Sequence, residues 1–319
     1  MEKLRVGVVG VGYLGKFHAR KYAAMTDVTL VGVVDSDSDL ADQVAGGTGC
    51  RAFSDYRDLM GMIDAASVVV PTPSHFPISK DLLEHDIDLM IEKPITTVLS
   101  EADALIRLAE SRERLIQVGH LERFNSAVVS LRDIIREPLF IESHRLSTYK
   151  KRATDVSVVL DLMIHDIDII LNMVGSEVTH IHAAGIPVVS DHVDIANARL
   201  EFKSGCVANV TASRISMKNE RKTRLFQRDA YIGIDFANHE ATVVRKDTQS
   251  DEGLIPGLGI EKRVFNKGDA LDDELRAFVH SVKTRETPLV TGQMGRDALK
   301  TAIDVMNQIQ ETSNRSVNR

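Results

Sequence analysis

Three side chains in this sequence have the types and spacing to move a proton and steady a developing negative charge: Asp161, His165 and Lys93. Asp161 and His165 stand four residues apart, one helical turn, so a carboxylate can orient or polarise the imidazole. Imidazole ionises near neutrality, which suits it to take the proton of an alcohol. Both lie in residues 155–174, a mostly apolar stretch that reads as a helix stopped by Gly175. Projected at about 100° per residue, Asp161, His165, Asp168 and Asn172 fall within roughly 60°, with Asp166 pointing elsewhere. Such a polar seam on a helix that otherwise seeks burial is costly unless satisfied, so it meets another polar element or lines a cleft. Two rival readings are hydrogen bonding of the seam to sheet backbone and a metal held by His165, Asp161 and Asp168. No further His/Cys cluster completes such a metal site, and no metal is expected. Lys93 sits between Glu92 and Pro94 at the end of the apolar run 87–91; the sequence leaves open whether the Lys93-Pro94 bond is cis or trans.

The element that must position Lys93 starts at the N-terminus. Residues 4–8 read as a buried strand, and Gly10-x-Gly12-x-x-Gly15 turns directly into a helical pattern. In such a turn Gly10 permits the tight bend, Gly12 lets backbone approach a pyrophosphate, and Gly15 seats helix on strand. The helix start offers unpaired N–H groups and partial positive charge to phosphates. A second strand, 29–34, ends in Asp35, twenty residues past Gly15, where a carboxylate would accept hydrogen bonds from an adenosine ribose and repel a 2′-phosphate. The pattern predicts a dinucleotide site that takes NAD rather than NADP. His18, three residues past Gly15, is expected to pack on the first helix. Further strand and helix patterns alternate to about residue 120, which predicts a doubly wound parallel sheet, a Rossmann domain over 1–121. Ligands in that architecture lie beyond the carboxyl ends of the strands, at Pro71-Thr72-Pro73-Ser74-His75, Glu92-Lys93-Pro94 and Gly119-His120.

From residue 122 the pattern changes. A helix over 125–135 and a strand over 139–148 lead to the long helix, then to strands at 195–202, 206–213, 222–227, 230–235, 241–245 and 261–265. Lys203-Ser204-Gly205 joins two of them as a hairpin. The pattern predicts an α+β domain over 122–319 with an open, mostly antiparallel sheet, closed by helices at 273–284 and 294–311 and a disordered tail from 313. One sheet face is expected on the helices and the other available to a second subunit or to solvent. A net charge of −7 offers no basic field for nucleic acid, and no apolar run approaches the length of about 20 residues that spans a bilayer. Two distant cysteines, Cys50 and Cys206, and a first strand entered almost at once fit a soluble, cytoplasmic protein without a signal peptide.

Taken together, the glycine loop, Pro71-Thr72-Pro73-Ser74-His75, Glu92-Lys93-Pro94 and Asp161-x-x-x-His165-Asp166 resemble the Gfo/Idh/MocA family of nicotinamide-dependent sugar oxidoreductases over nearly the whole chain. The resemblance implies hydride transfer between a sugar carbon and nicotinamide, with Lys93, Asp161 and His165 catalytic: His165 handles the hydroxyl proton and Lys93 polarises the oxygen. It also implies a cofactor site of Gly10, Gly12, Tyr13, Leu14, Gly15, Asp35, Pro71, Thr72, His75, Glu92 and Lys93, with Glu92 near the nicotinamide ribose, and a homo-oligomer, dimer or tetramer. Many members carry a glycine pair where this chain has Ser157-Val158-Val159, which points to a pocket of its own. The segments 119–125, 155–168 and 213–216 are similar to the subgroup that oxidises the 3-hydroxyl of UDP-N-acetylglucosamine to a ketone. A downstream aminotransferase then makes the amine for amide-linked lipid A. A UDP-sugar diphosphate needs cations, and the second domain offers Arg145, Lys150, Lys151, Arg152, Arg214, Arg221 and Arg224. Lys93, His120, Arg123, Asn125, Arg145, Arg152, His165 and Arg214 form the expected substrate-binding set. Another nucleotide sugar, a free sugar or an inositol would keep the chemistry and change the pocket; a non-catalytic NAD-binding regulator would lack the need for Lys93, Asp161 and His165 together.

Overall fold

A computed structural model describes residues 3–149, 156–246 and 257–317. The chain divides into two units, Met1–Leu121 with Asp269–Leu299, and Glu122–Gly268 with Lys300–Arg319.

In the first unit six strands run parallel: β1 (Leu4–Val9), β2 (Val28–Val34), β3 (Arg51–Phe53), β4 (Ala65–Val68), β5 (Asp88–Glu92) and β6 (Ile116–Gly119). Their order, β3-β2-β1-β4-β5-β6, is that of a doubly wound sheet. β1 and β4 are near-continuous apolar runs because helices cover both sheet faces, so no alternation is needed. Those helices are α1 (Gly15–Ala24), α2 (Ser38–Thr48), α3 (His75–Glu84) and α4 (Leu99–Ser111).

The second unit holds a short helix α5 (Ser126–Val129), strand β7 (Phe140–Leu146), helix α6 (Ile164–Val174) and strands β8 (Val178–Ile186), β9 (Ile195–Phe202), β10 (Val207–Ser213), β11 (Glu220–Phe226), β12 (Ala230–Asp235), β13 (Glu240–Lys246) and β14 (Leu258–Val264). They form one sheet in the order β14-β13-β12-β11-β7-β10-β9-β8, antiparallel except where β10 pairs with β7. β9 alternates as its sequence demands, with Ala196, Ala198, Leu200 and Phe202 buried. β7 alternates too, but its inner face carries Ser143 and Arg145 beside Ile141. Ser143 is satisfied by a hydroxyl–hydroxyl bond to Thr223 of β11, 2.8 Å; Arg145 belongs to the site described below.

Three expectations from the sequence need correction. The second domain does not take everything past residue 121. Helix α7 (Ala270–Thr284) buries Leu275, Phe278, Val279 and Val282 in the same core as Val6, Val8, Ala19, Tyr22 and Val33, so its apolar stripe returns it to the first unit. Helix α8 (Gly292–Val317) follows it there, with Gly295 so close to Val118 that an added Cβ would lie 2.6 Å away. From Lys300 onward α8 counts with the second unit, and the tail expected to be disordered is helical to Val317. The expected helix over 125–135 is only one turn, α5, followed by turns. No helix among the described residues is long and apolar enough to cross a membrane.

Candidate active site

At the carboxyl ends of the parallel strands the glycines behave as their spacing requires. Gly10 has a positive φ of 87°, donates to Val34 O at 2.8 Å, and would drive a Cβ to 2.5 Å from Val69 O. Gly15 touches the Gly10 carbonyl so closely that no side chain fits between them. Gly12 differs: nothing lies within 4 Å of where its Cβ would be, so the space beside it is open to a ligand. α1 starts at Gly15 with no side-chain cap from Leu14, which leaves its first turn suited to an anion. Tyr13 and Leu14 are exposed on the same loop. Asp35, half-buried at the end of β2, accepts from the Val11 N–H at 2.8 Å, which ties it to the glycine loop after β1, and from the Asp37 N–H of its own turn at 3.1 Å.

Gly10, Gly12, Asp35 and Pro71 line one cavity of about 520 Å³ with Tyr56 and Arg57. These residues fit a dinucleotide: backbone without side chains at the phosphate position and a carboxylate at the ribose end. Tyr56 and Arg57 were missed by reading motifs, although they follow β3 and the strand-end rule would have found them. The Tyr56 hydroxyl donates to Asp81 at 2.6 Å; burial and that bond push its pKa up to about 12. His75, expected to touch the cofactor, is buried instead, its ring nitrogens 2.8 Å from Val70 O and 3.0 Å from Pro94 O. Burial holds its pKa below the ordinary histidine value. Its ring is packed between the segment after β4 and the one after β5, and in the neutral form it donates to one of those two carbonyls. Thr72, half-buried, opens a short 3-10 turn into α3. Glu92 and Lys93 are half-buried at the end of β5, and the Lys93-Pro94 bond is cis. Burial would raise the Glu92 carboxyl, but His18 and the Lys93 ammonium outweigh it and hold the pKa low. His120, after β6, is buried.

The second unit presents Asp161 and His165 on a helix with a defect. Residues Val159–Met163 form a π turn that runs into α6, which ends at Gly175 in the left-handed conformation, as its sequence predicts. A π turn changes the angular step, so a uniform wheel misplaces residues across it; such turns recur at functional sites. The turn moves Asp161 relative to the other three seam residues, which all lie on regular α6, and pairing divides the seam further. Asp161 and His165 stay partly exposed, whereas Asp168 is buried and held by Arg123 through two bonds, 2.7 and 3.1 Å. Asp166, also buried, takes two bonds from Arg145 at 2.7 and 3.1 Å, and Arg145 reaches Glu122 at 2.9 Å. Burial would lower the Arg145 pKa, but Asp166 and Glu122 together raise it. Burial alone would raise Glu122, and the Arg145 charge brings it below the usual carboxylate range.

The expected cationic patch for a diphosphate is therefore largely a set of buried ion pairs. Arg123 and Arg145 are each 3% exposed and committed to carboxylates of their own unit. Arg214, 4% exposed, donates to Val156 O at 2.5 Å beside Asp194, whose carboxylate also gathers the N–H groups of Val188, Val189 and Ser190. Asn125 caps α5 by accepting from Ala127 N–H, and its amide donates to Glu122 and Phe236 O. Arg221 remains a largely exposed cation, 3.5 Å from Glu122. Lys150, Lys151 and Arg152 lie outside the described residues.

Comparison with known proteins places nearly the whole chain in one family. Residues 4–120 match the model of an oxidoreductase family with an NAD-binding Rossmann fold, and residues 114–232 match the GFO/IDH/MocA C-terminal domain. The chain is 37% identical over 306 residues to the UDP-N-acetylglucosamine 3-dehydrogenase of Acidithiobacillus ferrooxidans, covering 96% of this chain and 97% of that one. A solved structure of the enzyme with that name from the same organism superposes with a TM-score of 0.92 over 98% of this chain and 99% of that one, at 36% identity. The myo-inositol 2-dehydrogenase of Thermotoga maritima is 25% identical over 93% of each chain.

Proposed function

The chain belongs to the Gfo/Idh/MocA family of NAD-binding oxidoreductases, and from that premise we propose that it oxidises the 3-hydroxyl of UDP-N-acetylglucosamine to a ketone. The observation that carries the proposal is the full-length similarity to a UDP-N-acetylglucosamine 3-dehydrogenase, well above that to the myo-inositol enzyme. A bound nicotinamide supplies a hydride acceptor. Gly10, Gly12 and the start of α1 would hold its pyrophosphate, and Asp35 its adenosine ribose; that carboxylate makes NAD the preferred form over NADP. His165 takes the hydroxyl proton, with Asp161 one turn away to orient its ring. Lys93 places a positive charge against the oxygen as it becomes a carbonyl, an electrostatic aid whose value rises as water leaves the site. Arg123 and Arg145 serve this reading indirectly. They fix Asp168 and Asp166 on either side of His165, so α6 cannot roll without breaking a buried pair.

Two extensions follow from the same reading. The ketone is a substrate for an aminotransferase, and the outward face of the eight-stranded sheet is where a second copy would pair; a monomer in sedimentation analysis would remove the latter. The test of substrate is direct. The protein is incubated with NAD and UDP-N-acetylglucosamine in the presence of an amine trap, NADH fluorescence is followed, and the sugar nucleotide is weighed. A product two hydrogens lighter is expected. Turnover of an inositol or a free sugar, with none of the UDP-sugar, would reject the substrate and keep the family chemistry.

A further inference from the structure

We propose that His18 is a positioning residue for the reaction, acting through Glu92 to set the direction and charge environment of Lys93. The inference rests on the reading of Lys93 as the cation at the reacting oxygen. His18 lies one turn into α1 and is fully buried. The tight contact of Gly15 with the Gly10 carbonyl brings α1 down onto the sheet, and from there the imidazole reaches two strands at once. Its Nδ1 is 3.2 Å from Ser67 Oγ on β4, and its Nε2 is 3.3 Å from Glu92 Oε1 on β5. Ser67 Oγ is in turn 2.9 Å from the hydroxyl of buried Tyr22, and Glu92 Oε2 accepts the Lys93 backbone N–H at 3.2 Å.

One arrangement of protons suits every group in this string. A carboxylate only accepts, so Nε2 carries the imidazole proton; Nδ1 then accepts from Ser67, and Ser67 accepts from the Tyr22 phenol. The hydrogen bonds thus run one way, from Tyr22 through Ser67 to His18, whose opposite ring nitrogen faces the Glu92 carboxylate at 3.3 Å. On its other side Glu92 is confined by Gly119, where an added Cβ would lie 2.9 Å from the carboxyl carbon. Held between an imidazole and a glycine, the carboxylate is kept at the Lys93 backbone N–H, next to the lysine in the chain. Its charge is therefore a fixed part of the lysine's surroundings. A serine, histidine and acid in series invite comparison with a nucleophilic triad, but Ser67 and His18 are both wholly buried, so no substrate reaches them and positioning is the chemistry left. The titratable groups facing Glu92 are His18 from α1, Lys93 beside it and His75 from α3.

The test reads Lys93 itself and needs no sugar substrate. The full-length protein is labelled with trinitrobenzenesulfonic acid across a pH series, and the Lys93 peptide is quantified by mass spectrometry. In His18→Leu the carboxylate loses its anchor, the ammonium loses a fixed anion, and the midpoint of Lys93 labelling moves down by at least about half a pH unit. Glu92→Gln gives a shift of the same sign, and His18→Gln, whose amide can still donate to Glu92, restores most of the wild-type midpoint. If His18→Leu does not fold, Ser67→Ala, which removes the hydroxyl that orients the ring, gives a smaller shift in the same direction. An unchanged midpoint in a folded His18→Leu or Ser67→Ala protein overturns the proposal. Because no turnover is measured, a wrong sugar assignment leaves this result intact. Where turnover is available, His18→Leu lowers kcat about tenfold or more with the sugar KM within about threefold, and equal loss in both would mark a merely structural role.

Discussion

At the carboxyl ends of β1 and β2, the chemistry on offer comes mainly from peptide groups: an open Gly12, an uncapped helix start and a single carboxylate tied to the glycine loop by the Val11 N–H and to its own turn by the Asp37 N–H. Around α6 it comes from side chains, and most of those have found one another. Asp166, Asp168, Glu122, Arg123 and Arg145 form buried pairs, leaving Asp161 and His165 partly exposed among them. The first region can be occupied with little rearrangement because backbone needs no partner to be present. The second is rigid because each charge would be costly to bury alone. Each unit thus solves its own problem, the first with a backbone cradle and the second with a helix whose rotation is fixed by charge.

The sharpest way to break this contrast is to remove one charge from the buried set. Arg145→Ala strands Asp166 and Glu122, and loss of one partner of a buried pair costs about 3–5 kcal/mol. Arg221→Ala, on the exposed rim of the same network, should cost under about 1 kcal/mol. Urea unfolding of the two variants checks the difference. Similar losses would mean that the network is less buried or less coupled than its geometry implies. Next in size is His165→Ala, which removes no buried charge. Turnover should fall by at least about 10², the usual worth of a general base, with NADH affinity and unfolding midpoint near wild type. Wild-type rates would take proton transfer away from α6 altogether.

How far each region was legible in the sequence follows the same division. The glycine loop, Asp35 and the order of alternating strands were readable because each depends on residues close together in the chain. Gly175 stopped its helix for the same local reason. The fates of Arg123, Arg145 and Arg214 were not readable, since they depend on which strand lies beside which helix. Arg145 meets Asp166 only because β7 sits in mid-sheet with its odd positions facing inward. The π turn was equally hidden: its sequence, Val159-Leu160-Asp161-Leu162-Met163, is that of an ordinary apolar helix. That turn shifts Asp161 relative to the rest of the seam; Asp168 lies beyond it on regular α6, and its pairing was missed because only the fold brings Arg123 to it. The return of α7 to the first unit was missed because its amphipathic stripe says that it packs, not on what.

Within the first region, two glycines separate folding from binding. Gly12→Val points into open space, so stability should be kept while NADH affinity falls at least tenfold, about 1.4 kcal/mol. Gly15→Ala meets the Gly10 carbonyl and should lower the melting temperature as well. If Gly12→Val bound NADH normally, the phosphates would have to lie elsewhere.

The smallest effect is the most specific. Asp35 has two duties, ordering the glycine loop through the Val11 N–H and its own turn through the Asp37 N–H and, on the proposed reading, excluding a 2′-phosphate. Asp35→Ser keeps a hydroxyl that can accept one of those bonds but removes the charge. Affinity for both cofactors should suffer from the loosened loop, so absolute rates cannot separate the duties. The ratio of kcat/KM for NAD to that for NADP can, because loop order affects both alike. A carboxylate about 6 Å from a phosphate dianion in water is repelled by about 1.4 kcal/mol, so the ratio should fall about tenfold. A ratio that does not move would assign Asp35 to the loop alone and transfer cofactor choice to the other wall of the cavity, where exposed Arg57 stands beside Tyr56.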